Sequence, residues 1–405
     1  MKRDTTLVAG VAVIALFLFF NPLQLFKGAG KGACRPQFPQ SSLGQLVAFV
    51  ESHRQSPEDY IIGSFASHDL VFLGEFYKIR QNVQLVSSLI PRLYTAGVCT
   101  LGIEYALSDD QVEIDSIVTA PAWDETRARA ITFDWIVTWG FQEYLDIFKA
   151  AWQLNHTLSR GARPFRLIAL SVRQNWEYLT TDTDARDPKV VASLFANGVS
   201  DAHMADVIEH ELVARGEKEL IYCGMQHAFT AHYSAEYEKN VARLKLSENR
   251  RAGNIVYAKI GARAFSIALH APWPDDGSTA GLTWAADGAI DAMIAALPPK
   301  DQNAGFDTAG TPVGALRVTS GSFSHDAGPG TTLTVADLFD GYVIQGPLAA
   351  YKAVTPIADF VTPAEAPRAL AEFPGAKPPS LTAQQANQVI ADDAAAVRKL
   401  FEQFP

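Results

Sequence analysis

The chain has 405 residues, of which 48% are hydrophobic and 19% are charged, and 34 Lys and Arg against 44 Asp and Glu give a net charge of −10. This composition is ordinary for a globular enzyme or binding protein and excludes a disordered, collagen-like or coiled-coil chain. An acidic balance without a basic run also excludes nucleic acid as the main partner. At about 150 residues per domain, the length allows two or three domains or one large α/β unit.

The N-terminus predicts export and contact with a membrane. Lys2 and Arg3 precede the apolar run Leu7 to Phe20, which resumes up to Phe26. A charged start followed by a long apolar stretch is typical of a signal peptide or an uncleaved signal anchor. Small residues before Cys34 leave a lipid-modified cysteine as a third interpretation. Under all three, residues 1–34 place the body of the protein outside the cytoplasm, secreted or anchored in the membrane.

A strand–helix–strand unit follows the predicted linker and first helix at 35–68. Asp69 to Glu75 (DLVFLGE) is a short continuous apolar run, as expected for a strand that is buried on both faces. We expect Asn82 to cap the next helix and Gly97 to end it. The following strand is Cys99 to Ala106 (CTLGIEYA). Two strands joined through a helix in this way are parallel, with a right-handed crossover.

The later pattern continues the alternation and predicts the fold class. The first elements are a helical, aromatic-rich insertion at Leu107 to Arg163, a strand at Phe165 to Ser171, a helix at Asp201 to Arg215 and a strand at Glu219 to Phe229. Two strands that we expect to be antiparallel follow at Asn254 to Ile260 and Ala264 to His270. The last elements are a helix at Ala289 to Leu297, an edge strand at Tyr342 to Gln345, and a terminal helix with a capping box of Thr382 and Gln385. We therefore predict an α/β domain over 69–360 and an Ala- and Pro-rich tail over 361–405. The domain has a mainly parallel sheet flanked by helices, and an antiparallel strand at one edge of this sheet is an alternative that the sequence leaves open.

Two cysteines lie in the predicted body, Cys99 and Cys223. Both fall in predicted strands, one at the start and one near the middle, so a disulfide between them is not expected. The sequence thus describes two small buried residues and not a disulfide scaffold.

Polar residues at the strand ends form the candidate site, because ligands of a parallel α/β sheet bind outside the carboxyl ends of its strands. These residues are Glu75, Tyr77, Glu104, Ser171, Arg173, Gln226 and His227. Two glutamates within otherwise apolar strands need partners, since an unpaired buried carboxylate costs several kcal/mol. Two carboxylates, an imidazole, a phenol and a guanidinium in one crevice suit general acid–base chemistry or a hard metal ion.

Several motifs together resemble a known superfamily. VFLGE is followed by NVQLVSSLIPRLYTAGV and LGIEYA, and later by DAHMADVI and ELIYCGMQHAF. This order resembles the superfamily that joins ChaN-type haem-binding proteins, TIKI/TraB proteins and erythromycin-esterase-like hydrolases. The resemblance covers Asp69 to Phe229.

The resemblance implies functions for individual residues. The family pattern begins with Gly-Glu-x-His after a strand and adds a second strand-end Glu and a later Gly-x-x-His, which match Glu75, Glu104 and His227 here. Tyr77 stands where the family has its first His. A phenol with a reference pKa of about 10 does not replace imidazole as a routine Zn²⁺ ligand or base, but it can ligate ferric haem iron.

Three functions follow as expectations. The first is an ester or amide hydrolase, in which Glu75 or Glu104 with His227 activates a water, with or without Zn or Mn held by these three residues, and Arg173 or Tyr77 stabilises the oxyanion. The second is a haem- or cofactor-binding protein of the ChaN type, in which Tyr77 or His227 meets the iron. The third is a membrane-tethered scaffold whose site has decayed. The partners expected are a small-molecule substrate or haem and the membrane.

Overall fold

The computed structural model describes residues 40–181, 187–274, 282–327, 330–375 and 377–404. The predicted signal segment lies outside these ranges, so export and membrane anchoring stay predictions. Within the ranges, no helix combines the length and the apolar character that crossing a membrane requires.

The centre of the described chain is a seven-stranded sheet with the order β3-β2-β4-β1-β5-β11-β8. Its strands are β1 (Leu70–Glu75), β2 (Thr100–Leu107), β3 (Arg166–Ser171), β4 (Glu219–Gly224), β5 (Ala264–Leu269), β8 (Asn303–Asp307) and β11 (Gly341–Gln345). All neighbouring pairs are parallel except β11 with β8. The predicted α/β class, with a mainly parallel sheet and one antiparallel edge strand, is confirmed. Two short antiparallel ribbons pair β6 (Trp273–Pro274) with β7 (Leu282–Thr283) and β9 (Arg317–Val318) with β10 (Leu333–Thr334).

Helices cover both faces of the sheet. They are α1 (Gln40–His53), α2 (Pro57–Ser64), α3 (Arg80–Thr95), α4 (Gln111–Val118), α5 (Glu125–Trp135), α6 (Gln142–Thr157), α7 (Pro188–Leu194), α8 (Ser200–Glu211), α9 (Ala235–Leu244), α10 (Ala252–Ile260), α11 (Ala289–Ala296), α12 (Val335–Leu338), α13 (Ala366–Ala371) and α14 (Ala383–Phe401). The insertion after β2 is helical as predicted, since α4, α5 and α6 lie in it.

The alternation of β1 shows why the strand is apolar throughout. Val71 and Leu73 belong to the core that contains α3 and α6, whereas Leu70 and Phe72 belong to the core that contains α8 and α10. Successive side chains of a strand point to opposite faces, so a strand covered on both faces has no polar position until it ends. Its first polar side chain, Glu75, therefore lies at the edge where the sheet opens.

Four predictions about elements after β1 need correction. Residues Asn254 to Ile260 lie in helix α10 and not in a strand, because the Asn254 side chain accepts a hydrogen bond from the main-chain N–H of Arg251 at 3.0 Å and donates to the carbonyls of Thr230 and His232 at 2.8 and 2.7 Å. With this segment helical, β5 pairs in parallel with β1 and β11.

The other two concern an edge strand and a cap. β11 is an internal strand, and the edge is β8, whose sequence Asn-Ala-Gly-Phe-Asp gave no strand signal. Helix α3 begins at Arg80, so Asn82 lies inside it, fully buried, and accepts a hydrogen bond from Gln345 at 2.8 Å. The capping box of Thr382 with Gln385 on α14 is confirmed, and Cys99 and Cys223 are free.

Candidate active site

A cavity of about 100 Å³ opens at the carboxyl ends of β1, β2, β3 and β4. Its polar lining consists of Glu75, Tyr77, Glu104, Ser171, Gln174, Ser200, Gln226 and His227. Its apolar lining includes Trp135, Trp139, Trp176, Phe76, Phe323 and Met225. The strand ends therefore bring together most of the residues that the sequence marks as a site, and the insertion helices add an aromatic wall.

Glu75 ends β1 and is almost fully buried, with 2% of its surface exposed. The hydroxyls of Tyr144 and Tyr222 donate to its two carboxylate oxygens at 2.9 and 2.5 Å. Burial raises the pKa of Glu75 well above its ordinary value, and the nearby Glu104 adds to this, although the two tyrosine hydroxyls act in the opposite direction. Burial therefore favours the uncharged, protonated form of Glu75.

Glu104, on β2, has three donors around it. The Tyr77 hydroxyl lies 2.7 Å from each carboxylate oxygen, and the main-chain N–H of Gly224 donates to Oε2 at 2.7 Å. The Nε2 atom of His227 lies 3.5 Å from Oε1. Glu104 thus accepts hydrogen bonds as a carboxylate does, and it faces the cavity beside an imidazole.

Gly224 is required for this arrangement, because a methyl group in place of its hydrogen would overlap the Tyr77 hydroxyl. Burial, reinforced by the carboxylate of Glu104, raises the pKa of Tyr77 well above its ordinary value. Tyr77 therefore keeps its proton and acts as a hydrogen-bond donor to Glu104.

His227 follows β4 and joins Glu104 to a second carboxylate. Its Nδ1 atom lies 2.6 Å from Oδ1 of Asp201, which is fully buried in the first turn of α8. Burial alone would lower the pKa of His227, but the charges of Asp201 and Glu104 outweigh it and raise this pKa above its ordinary value. The imidazole is thus held in one orientation, with Nε2 directed towards Glu104.

Asp201 is itself held by three further donors, one from α9 and two from the start of α10. Arg251 donates at 3.2 Å, the Tyr237 hydroxyl at 3.0 Å and the main-chain N–H of Ala252 at 2.8 Å. Burial alone would raise the pKa of Asp201, but the positive charges of His227 and Arg251 lower it below its ordinary value. Arg251 also lies 3.5 Å above the Tyr237 ring and donates to the side-chain oxygen of Gln226.

The sequence does not predict that Asp201 and Arg251 belong to the site. Asp201 begins the motif DAHMADVI as an ordinary first-turn acid, and Arg251 was adjacent to a segment interpreted as a strand. Their proximity to His227 follows only from the packing of α8 against α10.

The remaining predicted residues lie in different places. Ser171 lines the cavity and donates to the main-chain carbonyl of Glu104. Gln226 lines it as well. Arg173 is not among the described residues that line the cavity, and it donates to the main-chain carbonyl of Asp134 at 3.3 Å. An oxyanion role for Arg173 therefore has no support from its position.

The donors that the resemblance assigns to a metal ion, Glu75, Glu104 and His227, are already engaged by neighbouring residues. Among the described residues, no three His, Cys, Asp or Glu side chains form a group that could hold a metal. Glu104 is taken up by Tyr77, Gly224 and His227, and Glu75 by two tyrosines. A divalent metal does not fit this set, and the Tyr77 hydroxyl, which donates to Glu104 at 2.7 Å, is not placed to ligate ferric haem iron.

Neither a protein-family model nor a curated protein matches the sequence. Among solved structures, a succinoglycan biosynthesis protein aligns with a TM-score of 0.51 and 9% identity, covering 76% of this chain and 97% of that one. A Bacillus cereus protein gives a TM-score of 0.49 and 12% identity with the same coverage. ChaN of Campylobacter jejuni, whose structure has cofacial haem, gives 0.33 and 13% over 56% of this chain and 92% of its own. These likenesses concern the fold alone.

Proposed function

We propose that this protein is a hydrolase that cleaves an ester or amide bond of a small molecule with Glu104 and His227. The observation that carries the proposal is the position of His227, with Nδ1 2.6 Å from Asp201 and Nε2 3.5 Å from Glu104 at the wall of the cavity. A base and an acid side by side, with the acid oriented by a third group, form a general acid–base pair.

The two groups divide the proton transfers between them. Glu104 accepts a proton from a water molecule whose oxygen forms a bond to the carbonyl carbon. The bond from that carbon to the leaving oxygen or nitrogen then breaks as His227 Nε2 gives its proton to the leaving group. The proton on Glu104 finally passes to His227 across the 3.5 Å gap, which restores both side chains.

Glu75 and Asp201 set the charge around this pair. Since burial raises the pKa of Glu75 and so favours its protonated form, this carboxyl group can donate a hydrogen bond to negative charge that develops on the carbonyl oxygen. Asp201 keeps His227 protonated until the leaving group takes the proton. A second carboxylate in the charged form at position 75 would instead oppose the oxyanion.

The test is a panel of 4-nitrophenyl esters and anilides with the wild type and single variants. We expect His227→Ala and Glu104→Gln each to lower kcat/KM by about 10²–10⁴-fold, the usual contribution of a general acid or base. His210→Ala removes an exposed histidine of α8 and is the matched control. Arg173→Ala should also retain activity. Equal rates for His227→Ala and His210→Ala would refute the proposal.

The pH profile separates catalysis from a structural role of His227. Protonated His227 is the required acid, so kcat/KM should fall as the pH rises through its pKa. Asp201→Asn removes the charge that raises this pKa and should move the alkaline limb to lower pH, whereas a purely structural loss would leave the limb in place.

Haem binding is the outcome that would replace this proposal. The aromatic wall of Trp135, Trp139 and Trp176 is suited to a flat ligand. Titration of the protein with haemin should give no Soret shift that depends on Tyr77 or His227. A shift that is lost in Tyr77→Phe would favour the haem-binding alternative.

A further inference from the structure

We propose that the substrate of this site is an uncharged ester or amide that carries a flat apolar ring. This inference rests on the proposed hydrolase function. Three features of the cavity carry it: the absence of a lining Lys or Arg among the described residues, an imidazole already paired with Glu104 and Asp201, and a wall made of indole and phenyl rings.

The first feature excludes an anionic substrate. None of the described residues that line the cavity is a Lys or an Arg. The two buried cations nearby are already paired, Arg251 with Asp201 at 3.2 Å and Lys78 with Asp393 at 2.8 Å. His227 also lines the cavity, but its two ring nitrogens already face Asp201 and Glu104 at 2.6 and 3.5 Å. A phosphate or carboxylate group in the cavity would therefore lose its hydration beside Glu104 without gaining an unpaired cation.

The second feature excludes a cationic substrate. Aromatic walls can bind ammonium groups, and Glu104 supplies a negative charge. However, Nε2 of His227 already lies 3.5 Å from Oε1 of Glu104, and the charges of Asp201 and Glu104 raise the pKa of this imidazole, which favours its positively charged form. An ammonium group at Glu104 would therefore have to displace this imidazole or lie beside it.

The third feature selects the shape of the substrate. Trp135 and Trp139 pack edge to face with their ring centres 4.7 Å apart, and Tyr77 contacts Trp139 edge to face at 5.8 Å. Trp176 and Phe323 also line the cavity. Rings set at steep angles to each other leave faces and edges that fit a flat apolar ring better than a flexible chain.

A series of three 4-nitrophenyl benzoates of closely similar size tests the charge. The ring carries 4-methyl (uncharged), 4-carboxylate (anionic) or 4-aminomethyl (cationic). We expect kcat/KM for the uncharged ester to exceed both others by about 10-fold or more, as for sites that leave a charged group unpaired. Equal or faster cleavage of either charged ester would overturn the inference.

A charge-introducing variant makes the test sharper. Val172 lines the cavity and is half-buried, so the ammonium of Val172→Lys can reach the cavity. We expect this variant to raise the ratio of anionic to uncharged ester cleavage by about 10-fold. Val112→Lys, at a valine that is 83% exposed, is the control and should leave the ratio unchanged. The same ratio in both variants would count against the inference.

Ring selectivity needs its own comparison. Trp135→Leu should reduce the preference for 4-nitrophenyl benzoate over 4-nitrophenyl acetate, because it removes one aromatic face from the wall. An unchanged preference would refute the part assigned to the aromatic wall.

Binding measurements separate this inference from the proposed function. In the wild type, quenching of tryptophan fluorescence by 4-methylbenzamide, terephthalamate and 4-(aminomethyl)benzamide, recorded within seconds of mixing, reports binding before turnover and keeps His227 in place. If no ester is cleaved but the uncharged amide binds most tightly, the hydrolase proposal fails and the ligand class stands. If esters are cleaved and neither assay distinguishes charge, the hydrolase stands and this inference falls.

Discussion

A single buried ion pair connects the C-terminal helix α14 to the loop that carries the site. Nζ of Lys78 lies 2.8 Å from Oδ2 of Asp393, and these side chains are 4% and 5% exposed. The ammonium also lies 4.8 Å from the centre of the Trp139 ring and 5.2 Å from that of Phe141. Asp393→Ala would remove the only carboxylate that the described residues place against this charge.

The expected loss of stability can be worked out from these contacts. Breaking a buried pair by removing one partner costs about 3–5 kcal/mol, because the remaining charge is uncompensated. Two aromatic faces continue to hold the ammonium, and such contacts contribute about 1–2 kcal/mol each at desolvated sites. We therefore expect Asp393→Ala to lower the free energy of unfolding by about 3 kcal/mol, at the lower end of that range.

Chemical denaturation followed by tryptophan fluorescence measures the effect. Asp392→Ala, at the exposed neighbour on the same helix, should change stability by less than about 0.5 kcal/mol. Lys78→Met combined with Asp393→Leu removes both charges and should regain most of the loss, since apolar replacements of a buried pair are often neutral. Equal stability of the Asp393→Ala and Asp392→Ala variants, or no recovery in the double variant, would refute this reasoning.

The same pair should also affect the site. Lys78 has a positive φ of 68°, a strained conformation for a residue with a side chain. Its main-chain N–H donates to the Tyr144 hydroxyl at 3.0 Å, and that hydroxyl donates to Glu75. If Asp393→Ala lets this loop relax, Glu75 loses a donor, so ester hydrolysis should fall together with stability.

Three further predictions concern buried groups near the sheet. Both carboxylate oxygens of Glu219 are buried without a hydrogen-bond partner among the described residues, and burial raises the pKa of this group. The folded state therefore holds a proton that the unfolded state releases. As a result, the free energy of unfolding falls as the pH rises above the unfolded pKa of about 4.3. Glu219→Gln should be about 1–3 kcal/mol more stable than the wild type at pH 8 and nearly equal at pH 4, and a difference that does not change with pH would contradict this. Gly224→Ala should cost about 1–3 kcal/mol in denaturation because its methyl group overlaps the Tyr77 hydroxyl, and adding Tyr77→Ala should recover part of it. The pKa of His227 is raised on folding, so the stability that this residue contributes is complete below about pH 6.5 and is lost as the pH rises through the folded pKa. His227→Gln should remove this pH dependence of stability. An NMR titration of the imidazole that finds a lowered pKa would refute the prediction.

The sheet and its carboxyl edge could be predicted because a continuous apolar run that ends in a polar residue marks each of these strands. The runs that became β1, β2 and β4 are buried along their whole length, so their sequences are continuously apolar until a polar residue marks the end. Helix α10 could not be predicted in the same way. Its Ile255 and Val256 favour a strand locally, and only the hydrogen bonds of the Asn254 side chain, with the main-chain N–H of Arg251 and with carbonyls after β4, make it a helix.

The site shows the same division between local pattern and packing. The sequence presents Glu75 and Glu104 as two equivalent strand-end acids. In the sheet they lie on either side of β4. Each of them therefore contacts different residues of β4 and of the loop that follows it. Tyr222 is a neutral donor to Glu75, whereas Gly224 and His227 give Glu104 an N–H and an imidazole. Asp201 lies in α8 and holds His227, and Arg251, the residue before α10, holds Asp201. The different roles of the two carboxylates, one as an acid and one as a base, therefore depend on helices whose sequences do not indicate these contacts.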